Sequence, residues 1–431
     1  MKRIISILFA VALLWGCEQD ESTFAPGISL QDLSFTPTPG GAVMHYKLPS
    51  NDDIVSIKLR YQDFKGDKVT VEGSYACDSL VIVGFNEARQ GVPGVVTLCN
   101  RQEEESDPID VTFDTHDSGA TAFFHTAEVE SYWNGFQLTY TGVENASGFA
   151  NVFYEGIDPL SKQPALLFID RIIIRGGEHT LKYSLQQAQD EYTIVVRTED
   201  FRGYTVKEKA YGGIKANYMD LLKPENYSFI CKCSQEDPEQ KLGMVYLFDG
   251  DAKGYNALGR DADDTEYYTF LAGPDAVGAP FIVHFNEPQV PASVRLYTML
   301  NVRSFNTKGG GIFNQCYYNR LPCSVSVYGT NTPDDKDSWV LLGEKEEPRE
   351  AALASRWCSR APGCASRNMY EKAEVDEAGS QYFNIQLPIS DEKYTDIIIV
   401  VNDVFSVSPY NWPENDRNYV TFNELEVYVK R

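Results

Sequence analysis

The sequence contains 431 residues with a formal net charge of −24, and 13% of its residues are aromatic. So acidic a chain is not expected to bind nucleic acid, whose phosphates require a basic face. Bulk charge also argues against anionic lipid surfaces and polyanionic sugars, although a local basic loop could still bind them. The length and apolar content suffice for two to four domains, each with its own core.

Residues 1–17 have the pattern of a targeting segment. Lys2 and Arg3 precede an apolar run, Ile4–Trp15, which is shorter than the roughly 20 residues of a membrane-spanning helix. The run ends in Leu-Leu-Trp-Gly-Cys, which resembles the lipobox of bacterial lipoproteins. This resemblance implies lipidation at Cys17, and the alternative is an ordinary secretory signal that is cut elsewhere.

The next segment, 18–27, is a polar tether that begins Glu-Gln-Asp-Glu. Acidic residues directly after the lipidated cysteine resemble the surface-export signal of Bacteroidota lipoproteins. The implied location is the outer membrane, with a lipid anchor as the only membrane contact and with the body of the protein facing the cell exterior. Two or more acyl chains on one cysteine would give a stable anchor.

Residues 28–116 contain six short β segments separated by turn signals such as Pro37–Gly41. Short strands without a helix over about a hundred residues predict a fibronectin-III-like or immunoglobulin-like sandwich. The stretches FTPTPGGAVMHYKLPSNDDI and DSLVIVGF resemble an N-terminal module of Bacteroidota surface lipoproteins whose function is poorly defined.

Residues 117–216 repeat this plan. Gly41–Tyr46 and Gly135–Tyr140 both combine an initial glycine, alternating apolar residues and a final tyrosine. Val95–Leu98 has a counterpart in Ile194–Arg197 at about the same offset. The repeat predicts a second sandwich in tandem with the first.

Residues 217–243 read as a linker that contains one short strand, Tyr227–Ile230, and a polar stretch. The linker also contains Cys231-Lys232-Cys233. A disulfide within this triplet would close a strained ring. Zinc is the rival interpretation, but no histidine or further cysteine lies near it in the sequence.

Nine cysteines less Cys17 leave eight, which suits an exported protein in an oxidising compartment. Sequence proximity suggests three local disulfides, and connectivity cannot be deduced from sequence. The suggested pairs are Cys316 with Cys323, Cys358 with Cys364, and Cys77 with Cys99.

Residues 244–431 alternate short strands with turn-rich loops, which predicts a sandwich of two antiparallel sheets, or jelly roll. The motifs LFDGD, VSVYGTNTPDDKDSWVLL and NELEVYVK occur in that order. They resemble a discoidin-type (coagulation-factor type C, galactose-binding-like) domain. The predicted fold class is therefore all-β, with two immunoglobulin- or fibronectin-III-like sandwiches followed by a discoidin-like jelly roll. Such domains bind ligands, very often sugars, through loops at one end of the sandwich.

The same resemblance implies a structural calcium ion held by the acidic loop and the terminal glutamate, which here are Asp249, Asp251 and Glu424. Hard cations require several oxygen ligands from carboxylates and carbonyls on a turn. The alternative is that these acids only cap turns.

Sugar binding requires an aromatic face for the apolar side of a pyranose, and polar groups for its hydroxyls. Three loops of the last domain carry both kinds of side chain. One of the aromatic residues, Trp357, is as well suited to filling the end of the sandwich as to binding a ligand. Trp339 begins an apolar strand and is expected in the core. The candidate ligand-binding residues are Tyr410, Trp412, Asn415, Tyr317, Tyr318, Arg320, Trp357 and Arg360.

No HExxH, GxSxG or glycine-rich phosphate-binding motif is present, and we do not expect an enzyme. The combined resemblance is to glycan-binding surface lipoproteins of Bacteroidota polysaccharide-utilisation systems. It implies capture of a carbohydrate for import or degradation, in some cases together with an outer-membrane glycan transporter. The alternative is a protein-interaction or adhesion module, which a broad exposed apolar patch would favour over a narrow cleft.

Overall fold

The computed structural model describes residues 24–260, 264–303, 317–359, 369, 371–405 and 418–431. The chain forms two compact units. The first comprises the described residues up to Glu130 together with Phe136–Lys215, and the second comprises Ser131–Gly135 and Ala216–Arg431. Among the described residues, no helix is long and apolar enough to cross a membrane. The predicted lipidation site, Cys17, lies outside the described residues.

The first unit begins with seven antiparallel strands in two sheets, which have the orders β1-β2-β5 and β4-β3-β6-β7. A three-stranded sheet facing a four-stranded one is the arrangement of a fibronectin-III-like sandwich. The strands are β1 (Leu33–Thr38), β2 (Gly41–Tyr46), β3 (Ser56–Gln62), β4 (Lys68–Ser74), β5 (Ser79–Val83), β6 (Arg89–Cys99) and β7 (Ile109–Thr115).

The rest of this unit repeats the same order. Its strands form the sheets β12-β9-β8 and β11-β10-β13-β14. The elements are the helix α1 (Gly119–Thr126) and the strands β8 (Glu128–Tyr132), β9 (Gly135–Gly142), β10 (Phe149–Ile157), β11 (Pro164–Ile173), β12 (Gly177–Ser184), β13 (Glu191–Glu199) and β14 (Thr205–Lys215). The strands that carry the sequence repeat, β2 with β9 and β6 with β13, hold equivalent positions, so the prediction of two similar sandwiches is confirmed.

Local chemistry explains how the first hairpin forms. Thr38 pairs with Gly41 across a two-residue turn, and Gly40 in that turn has a φ of +76°, which glycine adopts without the steric cost of a Cβ. The strands bury alternate residues. The buried rings of Tyr61 and Phe85 stack at 5.8 Å between centroids in the core.

The second unit is a sandwich of a five-stranded sheet, β16-β18-β23-β20-β21, and a four-stranded sheet, β15-β25-β19-β22, with the small ribbon β17-β24. One continuous apolar core joins the sheets. The elements are β15 (Met219–Leu221), β16 (Tyr227–Ile230), β17 (Phe270–Ala272), β18 (Pro280–Gln289), β19 (Pro291–Thr298), β20 (Pro322–Thr330), β21 (Val340–Glu346), α2 (Lys372–Glu377), β22 (Gln381–Gln386), β23 (Tyr394–Val404), β24 (Val420–Phe422) and β25 (Glu424–Lys430). The prediction of an all-β fold is confirmed.

The segment 217–243 differs from the predicted linker. Its strand at Tyr227–Ile230 lies where the sequence indicates, but β15 pairs with β25 and β16 pairs with β18. These edge strands satisfy backbone hydrogen-bonding groups of both sheets, which makes the segment part of the second sandwich.

The described cysteines are free thiols. Cys77 is exposed in a turn, whereas Cys99 is buried at the end of β6, so the suggested bridge between them is absent. The partners suggested for the buried Cys323 and Cys358 are Cys316 and Cys364, which lie outside the described residues. The Cys231 and Cys233 sulfur atoms lie 3.6 Å apart.

Candidate functional site

The second unit contains a cleft of about 390 Å³, which we call the Trp339 cleft. The indole of Trp339 is half-buried and forms one wall. Apolar residues and four charged ones complete the lining. The charged residues are Lys232, Asp275, Asp334 and Lys336, and the others are Ile230, Cys233, Pro274, Ala279, Pro280, Ile282 and Pro333.

The loop before β21 positions the indole. The side chain of Asp335 accepts a hydrogen bond from the Asp337 N–H at 3.1 Å and caps a short 3₁₀ turn. Trp339 Nε1 donates to the carbonyl of Pro333 at 3.1 Å. The ring of Tyr328 lies 5.8 Å away between centroids. Trp339 was expected in the core, but this loop holds it at the edge of the sheet, where it lines a cleft.

The charges of the cleft are balanced, because two lysines stand against two aspartates. No ion pair joins any of these four to another residue in the described part of the chain, and the Lys336 amine lies 5.7 Å from the centre of the Trp339 ring. Asp275 has a φ of +69°, a conformation that aspartate tolerates better than most residues. A cleft with balanced charges suits a neutral ligand that carries many hydroxyl groups.

The structure differs from the prediction for four candidate ligand residues. Tyr317, Tyr318 and Arg320 are buried, and Trp357 is only 1% exposed. Burial raises the pKa of Tyr317 to about 12, and its hydroxyl accepts a hydrogen bond from the Met299 N–H at 3.0 Å. All four side chains lie in the interior, so none offers a face to a sugar.

Trp357 shows how this part of the chain is held. Its Nε1 donates to the carbonyl of Pro322 at 2.7 Å, and its ring lies 5.7 Å from that of Phe383. The neighbouring Arg356 is also buried, and its Nε donates to the carbonyl of Ala351 at 2.9 Å. This arginine is therefore directed into the protein, away from solvent.

The remaining candidate ligand residues lie outside the described residues and stay predictions. They are Tyr410, Trp412, Asn415 and Arg360.

In the predicted calcium loop, the carboxylate of Asp251 accepts three backbone hydrogen bonds. Both oxygens of Asp251 accept backbone hydrogen bonds, from Gly254 and Tyr255 at 2.8 Å each and from Asn256 at 2.9 Å. Asp251 therefore caps the turn, as the alternative interpretation holds.

Glu424 is the unusual acid of this region. It is buried, its Oε2 has no hydrogen-bond partner among the described residues, and the backbone N–H of Gly250 donates to its carboxyl group. Burial, followed by the negative charge of nearby Asp249, raises the pKa of Glu424 to about 8. A side-chain hydrogen bond joins Glu424 to Asp249, and two carboxyl groups alone fall short of the six to eight oxygens that calcium typically takes. Within the described residues, no group of three or more His, Cys, Asp or Glu side chains could hold a metal ion.

Known proteins resemble this chain only distantly. A sequence profile described as a domain of unknown function (DUF4959) matches residues 28–115, which form the first sandwich. No curated protein matches. Among solved structures, SusE-like protein BT2857 is similar at 14% identity and a TM-score of 0.32, over 72% of this chain and 97% of its own.

Two further structures align with smaller parts of the chain. The first CBM32 module of a family 31 glycoside hydrolase from Clostridium perfringens has 13% identity and a TM-score of 0.24, covering 48% of this chain and 96% of its own. A two-domain fibronectin type III segment of chicken tenascin has 14% identity and a TM-score of 0.19, covering 43% and 98%. Identities and TM-scores this low do not establish a shared ligand.

The raised pKa of Glu424 predicts how stability depends on pH when no metal is bound. Below pH 4.5 this group is protonated in both the folded and the unfolded chain, so it does not affect stability. Between about pH 4.5 and 8 only the unfolded chain releases the proton, so the free energy of unfolding falls as the pH rises. We expect Glu424→Gln to raise the Tm at pH 8.5 in EDTA by about 2–4 °C or more relative to the unchanged protein, and to have little effect at pH 5.

Thermal unfolding at the two pH values measures this effect, with the exposed Glu287→Gln as the control. Calcium held by Asp249 and Glu424 would keep both carboxylates ionised. A rise in the Tm of the unchanged protein, and not of Glu424→Gln, on adding calcium at pH 8.5 would identify such a site. An equal response of both proteins to calcium would contradict a metal site here.

Proposed function

We propose that the second unit binds a carbohydrate reversibly in the Trp339 cleft. The observation that carries this proposal is the combination of a half-buried indole with four charged side chains that have no ion-pair partners among the described residues. An indole face packs against the apolar C–H face of a pyranose. Lysine and aspartate side chains hydrogen-bond the hydroxyl groups at its edge.

The size of the cleft agrees with this ligand class. About 390 Å³ lies at the lower end of the range for small-molecule pockets, which run from roughly 300 to 1,000 Å³. The space suits one or two sugar rings of a longer chain that continues into solvent. The proposed activity is binding without catalysis.

The lipobox resemblance at Cys17 supports a location at the cell surface for this function. Many lipid-anchored copies would engage one polymer, so a weak individual site gives strong overall attachment. Delivery of the bound polymer to an import or degradation system is also part of the proposal.

A protein partner is the second candidate. Val340 and Leu341, directly after Trp339, are each 50% exposed, and Ile230 on the cleft wall is 44% exposed. These apolar side chains would suit the buried core of a protein interface.

A glycan array probed with the purified protein distinguishes the two candidates. Binding to one class of neutral polysaccharide, with competition by its free oligosaccharide, supports the carbohydrate proposal. Failure to bind any glycan, together with specific recovery of an outer-membrane protein in a pull-down, would overturn it. A parallel array in EDTA tests whether binding requires a metal.

A further inference from the structure

A second cleft lies on the first unit, across the outward face of the sheet β4-β3-β6-β7. Its volume is about 1320 Å³, and we call it the basic cleft. Residues 24–116 contain seven lysines and arginines against fourteen aspartates and glutamates. Four of the seven cations nevertheless line this cleft, namely Arg60, Lys65, Lys68 and Arg89.

The strand register explains why these cations gather. Gln62 pairs with Lys68 and Arg60 pairs with Thr70, so Arg60 and Lys68 stand diagonally across neighbouring strands. Neighbouring strands lie about 4.8 Å apart and alternate residues share one face, about 7 Å apart along each strand. Arg89 begins β6, where a register shift before Val92 leaves Gly91 with a φ of +63°. The shift bends the strand and opens this end of the cleft.

The charge of most of these cations remains available. Among the described residues, no carboxylate forms an ion pair with Lys65, Lys68 or Arg89. The Lys65 amine lies 3.0 Å from the centre of the Tyr204 ring, and an Arg89 nitrogen donates to the carbonyl of Phe64 at 3.3 Å. Each contact orients its own side chain, of Lys65 or of Arg89, and leaves the positive charge in place.

Two of the four acids at the cleft are bound by arginines. Asp63 is bound by Arg202 at 2.6 Å. Glu105 is bound by Arg60, which holds the pKa of Glu105 at about 2. Asp110 is the other carboxylate in the lining, and Asp67 lies in the turn between Lys65 and Lys68. Among the described residues, three cations without ion-pair partners therefore stand against two such acids, Asp67 and Asp110, which leaves a small local excess of positive charge on an acidic protein.

We propose that the basic cleft binds an acidic polysaccharide through the carboxylate or sulfate groups on its sugar units. A single extended glycan chain can lie along the cleft with its acidic groups against these cations. A flat anionic membrane would also face the surrounding acidic surface, and the net charge of −24 opposes that approach. The glutamines Gln62 and Gln90 in the lining supply hydrogen bonds to sugar hydroxyls.

The test measures binding of the purified full-length protein to polygalacturonate, dextran sulfate and neutral dextran at low and physiological salt. We expect binding to at least one acidic polymer, weakened by salt, and no salt-dependent binding to neutral dextran. The double variant Lys68→Ser/Arg89→Ser is expected to weaken binding about tenfold or more, because each lost cation removes a charge-assisted contact. Whether the carboxylated or the sulfated polymer binds identifies the acidic group.

The matched control is Lys47→Ser/Arg101→Ser, which changes the net charge equally at two exposed cations outside the cleft. We expect less than about a twofold effect from it, and retained binding in Lys68→Arg. Equal losses of affinity in both double variants would show that the overall charge of the protein, and not the cleft, controls binding. That result would overturn the proposal. Binding to phosphatidylserine vesicles without binding to either acidic polymer would also overturn it.

This proposal is independent of carbohydrate capture at the Trp339 cleft. Trp339→Ala is expected to leave binding to the acidic polymer unchanged. Each proposal can therefore fail without the other.

Discussion

Replacing Trp339 by alanine is expected to weaken binding to the polysaccharide found on the array by at least about tenfold. The indole is the aromatic wall of the cleft, and buried aromatic anchors commonly contribute most of the binding free energy at a site. Because the side chain is half-buried at the start of an edge strand, we expect folding to survive the change. Isothermal titration of the variant with the array ligand measures the effect.

Two comparisons make this result specific. Trp339→Phe keeps an aromatic face and is expected to retain part of the affinity that Trp339→Ala loses. Tyr382→Ala removes an aromatic residue that is 39% exposed and outside the cleft, and we expect little effect on the affinity. Trp412→Ala tests the loop predicted from the sequence. Loss of binding in Trp412→Ala with full binding in Trp339→Ala would move the site to that loop.

Trp357→Ala is expected to destabilise the second unit strongly. The side chain is 1% exposed and donates a hydrogen bond to the Pro322 carbonyl. Truncating a buried tryptophan to alanine leaves a cavity and typically costs about 3–5 kcal/mol. For a unit of this size the Tm is expected to fall by roughly 6–20 °C, measured by calorimetry or near-ultraviolet circular dichroism.

The contrast with Trp339→Ala decides between an interior and a ligand-binding role for Trp357. We expect a small change in Tm for Trp339→Ala and a large one for Trp357→Ala, with Trp357→Phe between them because a smaller ring leaves a smaller cavity. If Trp357→Ala lost glycan affinity at an unchanged Tm, Trp357 would be a ligand platform, as the sequence prediction has it.

The all-β fold and the tandem repeat were both predictable because they rest on local periodicity. Alternating apolar residues in β2 and β9 mark strands, and glycine and proline mark the turns between them. The short strand at Tyr227–Ile230 was also predicted within its observed bounds. Its membership of the second sandwich was not, because pairing with β18 joins residues far apart in the sequence.

The candidate site was less predictable for the same reason. Trp339 and Trp357 both lie near turn-forming residues, and nothing local shows which indole points inward. One signal was present for Trp339, since the stretch Pro333-Asp334-Asp335 directly before it favours a turn at the end of the sandwich. The predicted calcium acids could not be told apart from the sequence either. Only the folded structure shows that Asp251 caps backbone N–H groups, while one Glu424 oxygen has no hydrogen-bond partner among the described residues.

By itself, the sequence determined the strands, the repeat, the overall acidity and the lipobox-like segment, because each depends on neighbouring residues or on composition. The tertiary structure decided which aromatic side chains are buried, which acids are paired and where cations gather. Those properties arise when strands distant in the sequence pair in one register, and a register shift of one residue would turn each side chain to the opposite face of its sheet.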